Sequence, residues 1–111
     1  MRKTNPNFLN GVPEMLVLAL LSRRPMYGYE IVKAIQSETG ETLAFGEGCI
    51  YPCLHYLEAE KLVSSHRKDV GGRSRNYYGL TRRGSKRLEE LSTDWSRVTS
   101  GISLLIQGEH A

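Results

Sequence analysis

Apolar residues recur along this chain at helical spacing in four stretches, and a short stretch with strand character lies between the third and the fourth. A first helix opens near Pro13 and ends before Pro25; Leu16, Ala19 and Leu20 turn one way on the wheel, and Leu18 and Leu21 nearly the opposite way. A helix apolar on both sides is hard to surround in a small protein. One of the two sides is therefore expected to meet a second subunit, with Leu16, Leu18 and Leu21 as the candidate contacts. The second helix runs from about Gly28 to Ser37, with Ile31, Val32 and Ile35 inward and Glu30 and Lys33 outward. The third begins close to Gly48, because Pro52 lacks a backbone donor and belongs near the first turn. Ile50, Leu54 and Leu57 form its inner side; Gly48, Tyr51, Pro52 and His55 face out.

Two strands should follow, around Leu62-Val63 and from Asn76 to Leu80, joined through Asp69-Val70-Gly71-Gly72, a glycine-rich turn signal. Thr81 then caps a last helix over 82–107. Its apolar residues Leu88, Leu91, Trp95, Val98, Ile102 and Leu105 follow steps of three and four, as in a narrow coiled-coil seam. This predicts a mainly α chain with a small β wing: a flexible arm over 1–10, a winged helix-turn-helix over 11–81 and a C-terminal dimerisation helix over 82–107. In that layout the third helix enters the major groove of double-stranded DNA and the wing follows the backbone.

Charge changes the picture by its placement. The chain of 111 residues carries a net charge of only +3. Between Lys61 and Arg87, however, nine basic residues stand against one acid, Asp69, and the other residues hold six basic against eleven acidic. The positive field thus belongs to one segment. Arg67, Lys68, Arg73 and Arg75, with Gly71 and Gly72 at the turn, are the expected phosphate or minor-groove contacts. Tyr51 and His55 should approach base edges or sugars, beside Gly48 and Pro52, and the opening of the second helix at Tyr27 should add a phosphate contact through its amides. The outward face of the third helix is poor in the Arg, Asn and Gln side chains that read bases in pairs, so shape and phosphate contacts should carry more of the specificity.

Other classes lose ground on the same reading. No activated nucleophile, paired carboxylate or phosphate-cradling glycine loop stands out, so an enzyme is not expected. No cofactor or metal is expected either, since Cys49, Cys53, His55 and His66 match no zinc spacing. The longest apolar run, Met15 to Leu21, is too short to span a bilayer, and two cysteines make no disulfide scaffold; the expected setting is the cytoplasm.

With these pieces in place, the sequence resembles the PadR family of transcriptional regulators. The resemblance rests on Pro25-Met26-Tyr27-Gly28-Tyr29-Glu30-Ile31, on Glu47-Gly48-Cys49-Ile50-Tyr51-Pro52-Cys53-Leu54-His55-Tyr56-Leu57-Glu58, and on Gly71-Gly72-Arg73-Ser74-Arg75-Asn76-Tyr77-Tyr78-Gly79-Leu80-Thr81 with Gly84. It implies a homodimeric winged-helix DNA-binding regulator of the short, single-domain class, usually a repressor, that leaves DNA on binding a small effector. It also implies that the effector is a flat aromatic compound. Trp95, at the middle of the seam, would face its mate across a two-fold axis and leave a slot for such a guest. Two alternatives stand beside this one: a winged-helix module used for protein contacts without an effector, and a thiol-based redox-responsive regulator. The second arises because Cys49 and Cys53 replace the small residues common in the family at those positions; they share one flank of the helix, where packing is the simpler role.

Overall fold

The computed structural model describes residues 11–108. Its elements are α1 (Val12–Leu21), β1 (Met26–Tyr27), α2 (Gly28–Glu38), α3 (Glu47–Ala59), β2 (Val63–Val70), β3 (Arg73–Leu80) and α4 (Arg82–Gln107). The expected 1–10 arm lies outside the described residues. Four helices with a small antiparallel sheet make the winged helix-turn-helix that the sequence pattern predicts.

The core forms where the inner faces of α1, α2 and α3 meet the start of the hairpin. Val17, Leu18, Ile31, Ile50, Leu54, Leu57 and Val63 are fully enclosed there, and Tyr78 of β3 closes the sheet side. Each such side chain contributes roughly 1.5–3 kcal/mol on burial. This corrects one expectation about α1. Its two apolar flanks are both occupied within the chain, because α2, α3, α4 and β3 all pack on it. Leu18 and Leu21 are consequently buried in their own core and have no surface left for a second subunit, whereas Leu16 is only partly covered.

Three local features differ from the sequence reading. β1 was not legible in two residues, yet Met26 pairs with Tyr78 and Tyr27 with Tyr77, so the sheet has the order β1-β3-β2. The wing strands are longer than expected at eight residues each, and only Gly71 and Gly72 remain as the turn. Their φ values of 58° and 78° suit a tight hairpin turn that requires the left-handed region twice, which explains why two glycines stand there. Finally, α3 runs on through Pro52, its sixth residue. The amide missing at Pro52 would have reached the Gly48 carbonyl, and Gly48 is exposed, so solvent can satisfy that group.

Thr81 joins the wing to α4. Its hydroxyl accepts from the Gly84 amide at 3.0 Å and lies 2.8 Å from the Lys61 carbonyl and 3.0 Å from that of Leu62. From this cap α4 extends 26 residues, about 39 Å. Leu88 and Leu91 lean on the core, but Trp95, Val98 and Ile102 are about half exposed and Leu105 is 75% exposed. Ile106, one turn beyond Ile102, extends the same bare stripe.

Candidate nucleic-acid interface

Residues that sequence spacing places far apart converge on one cleft, of about 390 Å³, between the opening of α2, the outer side of α3 and the free edge of β3. Tyr27, Tyr51, His55, Arg73 and Arg75 all line it. The convergence has simple causes. β1 ends after Tyr27, so β3 is unpaired on that side beyond Tyr77, and its arginines stand beside the N-terminus of α2. Tyr51 fits closely because residue 28 is glycine: a Cβ there would come within 2.3 Å of the Tyr51 ring. Burial, then the nearby Glu47 carboxylate, pushes the Tyr51 phenol up, so it stays a neutral donor at the cleft wall.

The remaining candidates divide. Gly48 and Pro52 are exposed on α3 outside the lining of this cleft, and Gly71 and Gly72 sit at the wing tip. In an antiparallel sheet directly paired residues share a face and alternate residues do the same. The register Lys68 to Arg75, His66 to Tyr77 and Tyr27 to Tyr77 therefore puts Lys68, Arg73 and Arg75 on one face with Tyr27, His66 and Tyr77. Arg67 belongs to the other face, where its Nε donates to Ser74 Oγ at 3.1 Å. The basic segment of the sequence is thus not one patch. Arg83, Lys86 and Arg87 line a separate groove with Tyr56, Glu60 and Glu90, and Arg87 pairs with Glu14 of α1 at 3.1 Å.

Sequence reading missed Asn76 in the cleft and the rings of Tyr77 and His66 beside it. The signal for Tyr77 was the alternation Arg73, Arg75, Tyr77, which becomes visible once β3 is started at Arg73 rather than at Asn76; His66 follows only from its pairing with Tyr77. α3 is anchored to the wing by Ser65, whose Oγ donates to Glu58 Oε2 at 2.5 Å.

The two cysteines separate in character. Cys49 is exposed, and Cys53 is partly buried against the core. Burial, then the nearby Cys49 and Glu14, pushes the Cys53 thiol up to about 11. Iodoacetamide mapping by mass spectrometry should find Cys53 barely alkylated at neutral pH and labelled only as pH nears 11. Rapid labelling of Cys53 at pH 7 would show an accessible thiolate and revive a redox role. Among the described residues, no three His, Cys, Asp or Glu side chains gather to hold a metal ion, and no helix is long and apolar enough to cross a membrane.

Comparison with known proteins agrees with this geometry. The model of the transcriptional regulator PadR-like family matches residues 17–90. A protein of Lysinibacillus sphaericus is 29% identical over 103 residues, which cover 92% of this chain and 94% of that one. The transcriptional regulator YqjI of Escherichia coli is 35% identical over 83 residues, 75% of this chain but only 39% of that longer protein. Among solved structures, a PadR-like transcriptional regulator of Bacillus cereus superposes with a TM-score of 0.81 at 34% identity, covering 93% of this chain and 99% of that one. Matched by the family model from α1 into α4, and by the Bacillus cereus structure along nearly its whole length, the chain belongs to the PadR-like family of transcriptional regulators, which are not enzymes.

Proposed function

We propose that this regulator binds double-stranded DNA as a homodimer and represses transcription until a flat aromatic effector loosens the complex. One observation carries the DNA-binding part: Arg73 and Arg75 of the wing meet Tyr51 and His55 of α3 around a single cleft at the start of α2. A helix face and a neighbouring cationic hairpin at one edge suit a groove and its flanking phosphates. The α3 side of the cleft, with Tyr51 and His55, offers no bidentate Arg, Asn or Gln for base edges, so phosphate contact and DNA shape carry much of the recognition.

Replacing Arg73 and Arg75 by alanine is the direct test. Affinity for a duplex long enough for two half-sites, followed by fluorescence anisotropy at several salt concentrations, should fall for every sequence. The slope of log affinity against log salt should shrink by roughly one unit per lost phosphate contact. An unchanged slope would point the wing away from DNA, and no binding by the wild type at low salt would favour a module for protein contacts.

The effector reading rests on Trp95. This sole tryptophan borders an apolar hollow of about 230 Å³, lined also by Val12, Met15, Leu91 and Val98. A second copy laid along α4 would close the hollow into a slot between subunits. Release of DNA follows if the guest prefers a dimer whose recognition helices are wrongly spaced, and a coupling of about 1–3 kcal/mol is enough to loosen binding several-fold. Planar aromatic compounds should quench Trp95 fluorescence in the dimer and lower DNA affinity in proportion. Equal quenching in a monomeric variant would rule out a slot between subunits.

A further inference from the structure

We infer that Tyr27 is a positioning residue for DNA binding: its ring holds the Arg75 guanidinium in place and ties the wing to the start of α2. The inference rests on the DNA-binding reading above and assigns the ring a task separate from any amide contact at the helix opening.

The geometry is a short ladder of rings and cations. Arg75 Cζ lies 4.3 Å from the centre of the Tyr27 ring, close enough for a cation over a π face. Tyr27 in turn meets Tyr77 edge-on, with ring centres 5.4 Å apart and planes at 72°. Tyr77 is itself flanked, by His66 stacked at 6.5 Å and by Lys68 Nζ at 5.5 Å. Tyr27 is also fixed through its backbone. Its amide donates to Glu30 Oε1 at 3.4 Å, Glu30 pairs with Arg24 at 2.6 Å, and β1 pairs with β3. The ring is consequently held by two elements before it touches the arginine.

This matters because an arginine on an exposed strand otherwise samples many rotamers, and ordering it at the moment of binding weakens affinity. Stacked on Tyr27, the guanidinium is already turned toward the cleft it shares with Tyr51 and His55. Because α2 packs on α3, the same ring relates the wing cation to the recognition helix. No acidic side chain is paired with Arg75 among the described residues, so its donors stay available for phosphate.

The experiment is a double-mutant cycle read by DNA affinity and by its salt slope, on a mixed-sequence duplex long enough for two half-sites. Tyr27→Leu should weaken binding by about two- to fivefold and lower the slope by up to about one unit, as Arg75→Ala does. Tyr27→Phe keeps the π face and should behave as wild type. In an Arg75→Ala background, Tyr27→Leu should have no further effect; a full further loss there would mean that Tyr27 acts on DNA by itself and would overturn the inference. Should Tyr27→Leu fold poorly, the free wild-type protein still decides the matter. Its Arg75 side-chain resonances should show an upfield ring-current shift in NMR spectra, and their absence would sink the idea. Failure of the parent reading looks different, since Arg73→Ala and Arg75→Ala would then leave DNA binding untouched.

Discussion

Alanine at position 84 is expected to destabilise the fold by about 3 kcal/mol, far more than a glycine-to-alanine change inside a helix would suggest. Helix propensity alone favours the alanine by about 1 kcal/mol. Packing reverses that sign. A Cβ on residue 84 would stand 2.0 Å from the Leu62 carbonyl oxygen and 2.7 Å from Leu80 Cδ1. The leucine end could rotate away, but the carbonyl cannot, because Leu62 O accepts from the Thr81 amide at 3.2 Å and lies 3.0 Å from the Thr81 hydroxyl. The same hydroxyl caps α4 through the Gly84 amide, so moving the helix away loosens the cap and the root of the wing together. Thermal unfolding of a domain this size should shift down by roughly 12–24 °C for a loss of that order. An unchanged melting temperature would mean that α4 slides along the hairpin root freely. Gly28 gives the contrast, since the nearest atoms an added Cβ there would meet belong to the movable ring of Tyr51 and not to backbone; its substitution should disturb the cleft more than the fold.

How far the sequence could be read follows from the range over which each signal acts. The helical periods of α2 and α3 are local, and their apolar faces landed inward as expected, with Ile31, Ile35, Ile50, Leu54 and Leu57 all buried, whereas the equally local period of α4 leaves its stripe largely exposed. Thr81 and the two-glycine turn are equally local, since each is a chemical requirement within four residues. What failed was non-local. Two residues, Met26 and Tyr27, show no alternation by themselves and become a strand only because β3 offers them partners. Likewise, whether Leu18 and Leu21 face a second subunit or the chain's own core depends on which distant elements pack on α1, and no period within α1 carries that information. The candidate interface shows the same division. Its residue types were legible, but Arg67 parted from Arg73 and Arg75 because a strand register, not a charge count, decides which face a side chain takes. Tyr77 was hidden for the same reason, until its cross-strand neighbours were known.

The bare stripe of α4 leads to the last and largest expected effect, the loss of the dimer. Trp95, Val98, Ile102, Leu105 and Ile106 lie exposed along one side of a helix whose first turns are docked, and a contiguous apolar stripe marks an interaction surface where scattered single residues do not. A second copy of the same helix, laid against it about a two-fold axis, would cover both stripes at once. Val98 and Ile102 are the positions to test, because Leu91 also packs on the chain's own core and a charge there would damage the fold as well. Val98→Asp combined with Ile102→Asp places four carboxylates in the symmetric interface. At roughly 1 kcal/mol or more for each, the dimer should weaken by at least about a thousandfold. Sedimentation velocity should then show a dimer for the wild type at micromolar concentration and a monomer for the variant. Circular dichroism should keep the helical signal, since neither side chain supports the core. DNA affinity should fall about a hundredfold, because a monomer engages one half-site where a dimer engages two about one helical turn apart. A wild type that sediments as a monomer would overturn the assignment of α4 as a dimerisation helix. A variant that remains dimeric would move the contact to another surface and leave the apolar stripe without the partner assigned to it.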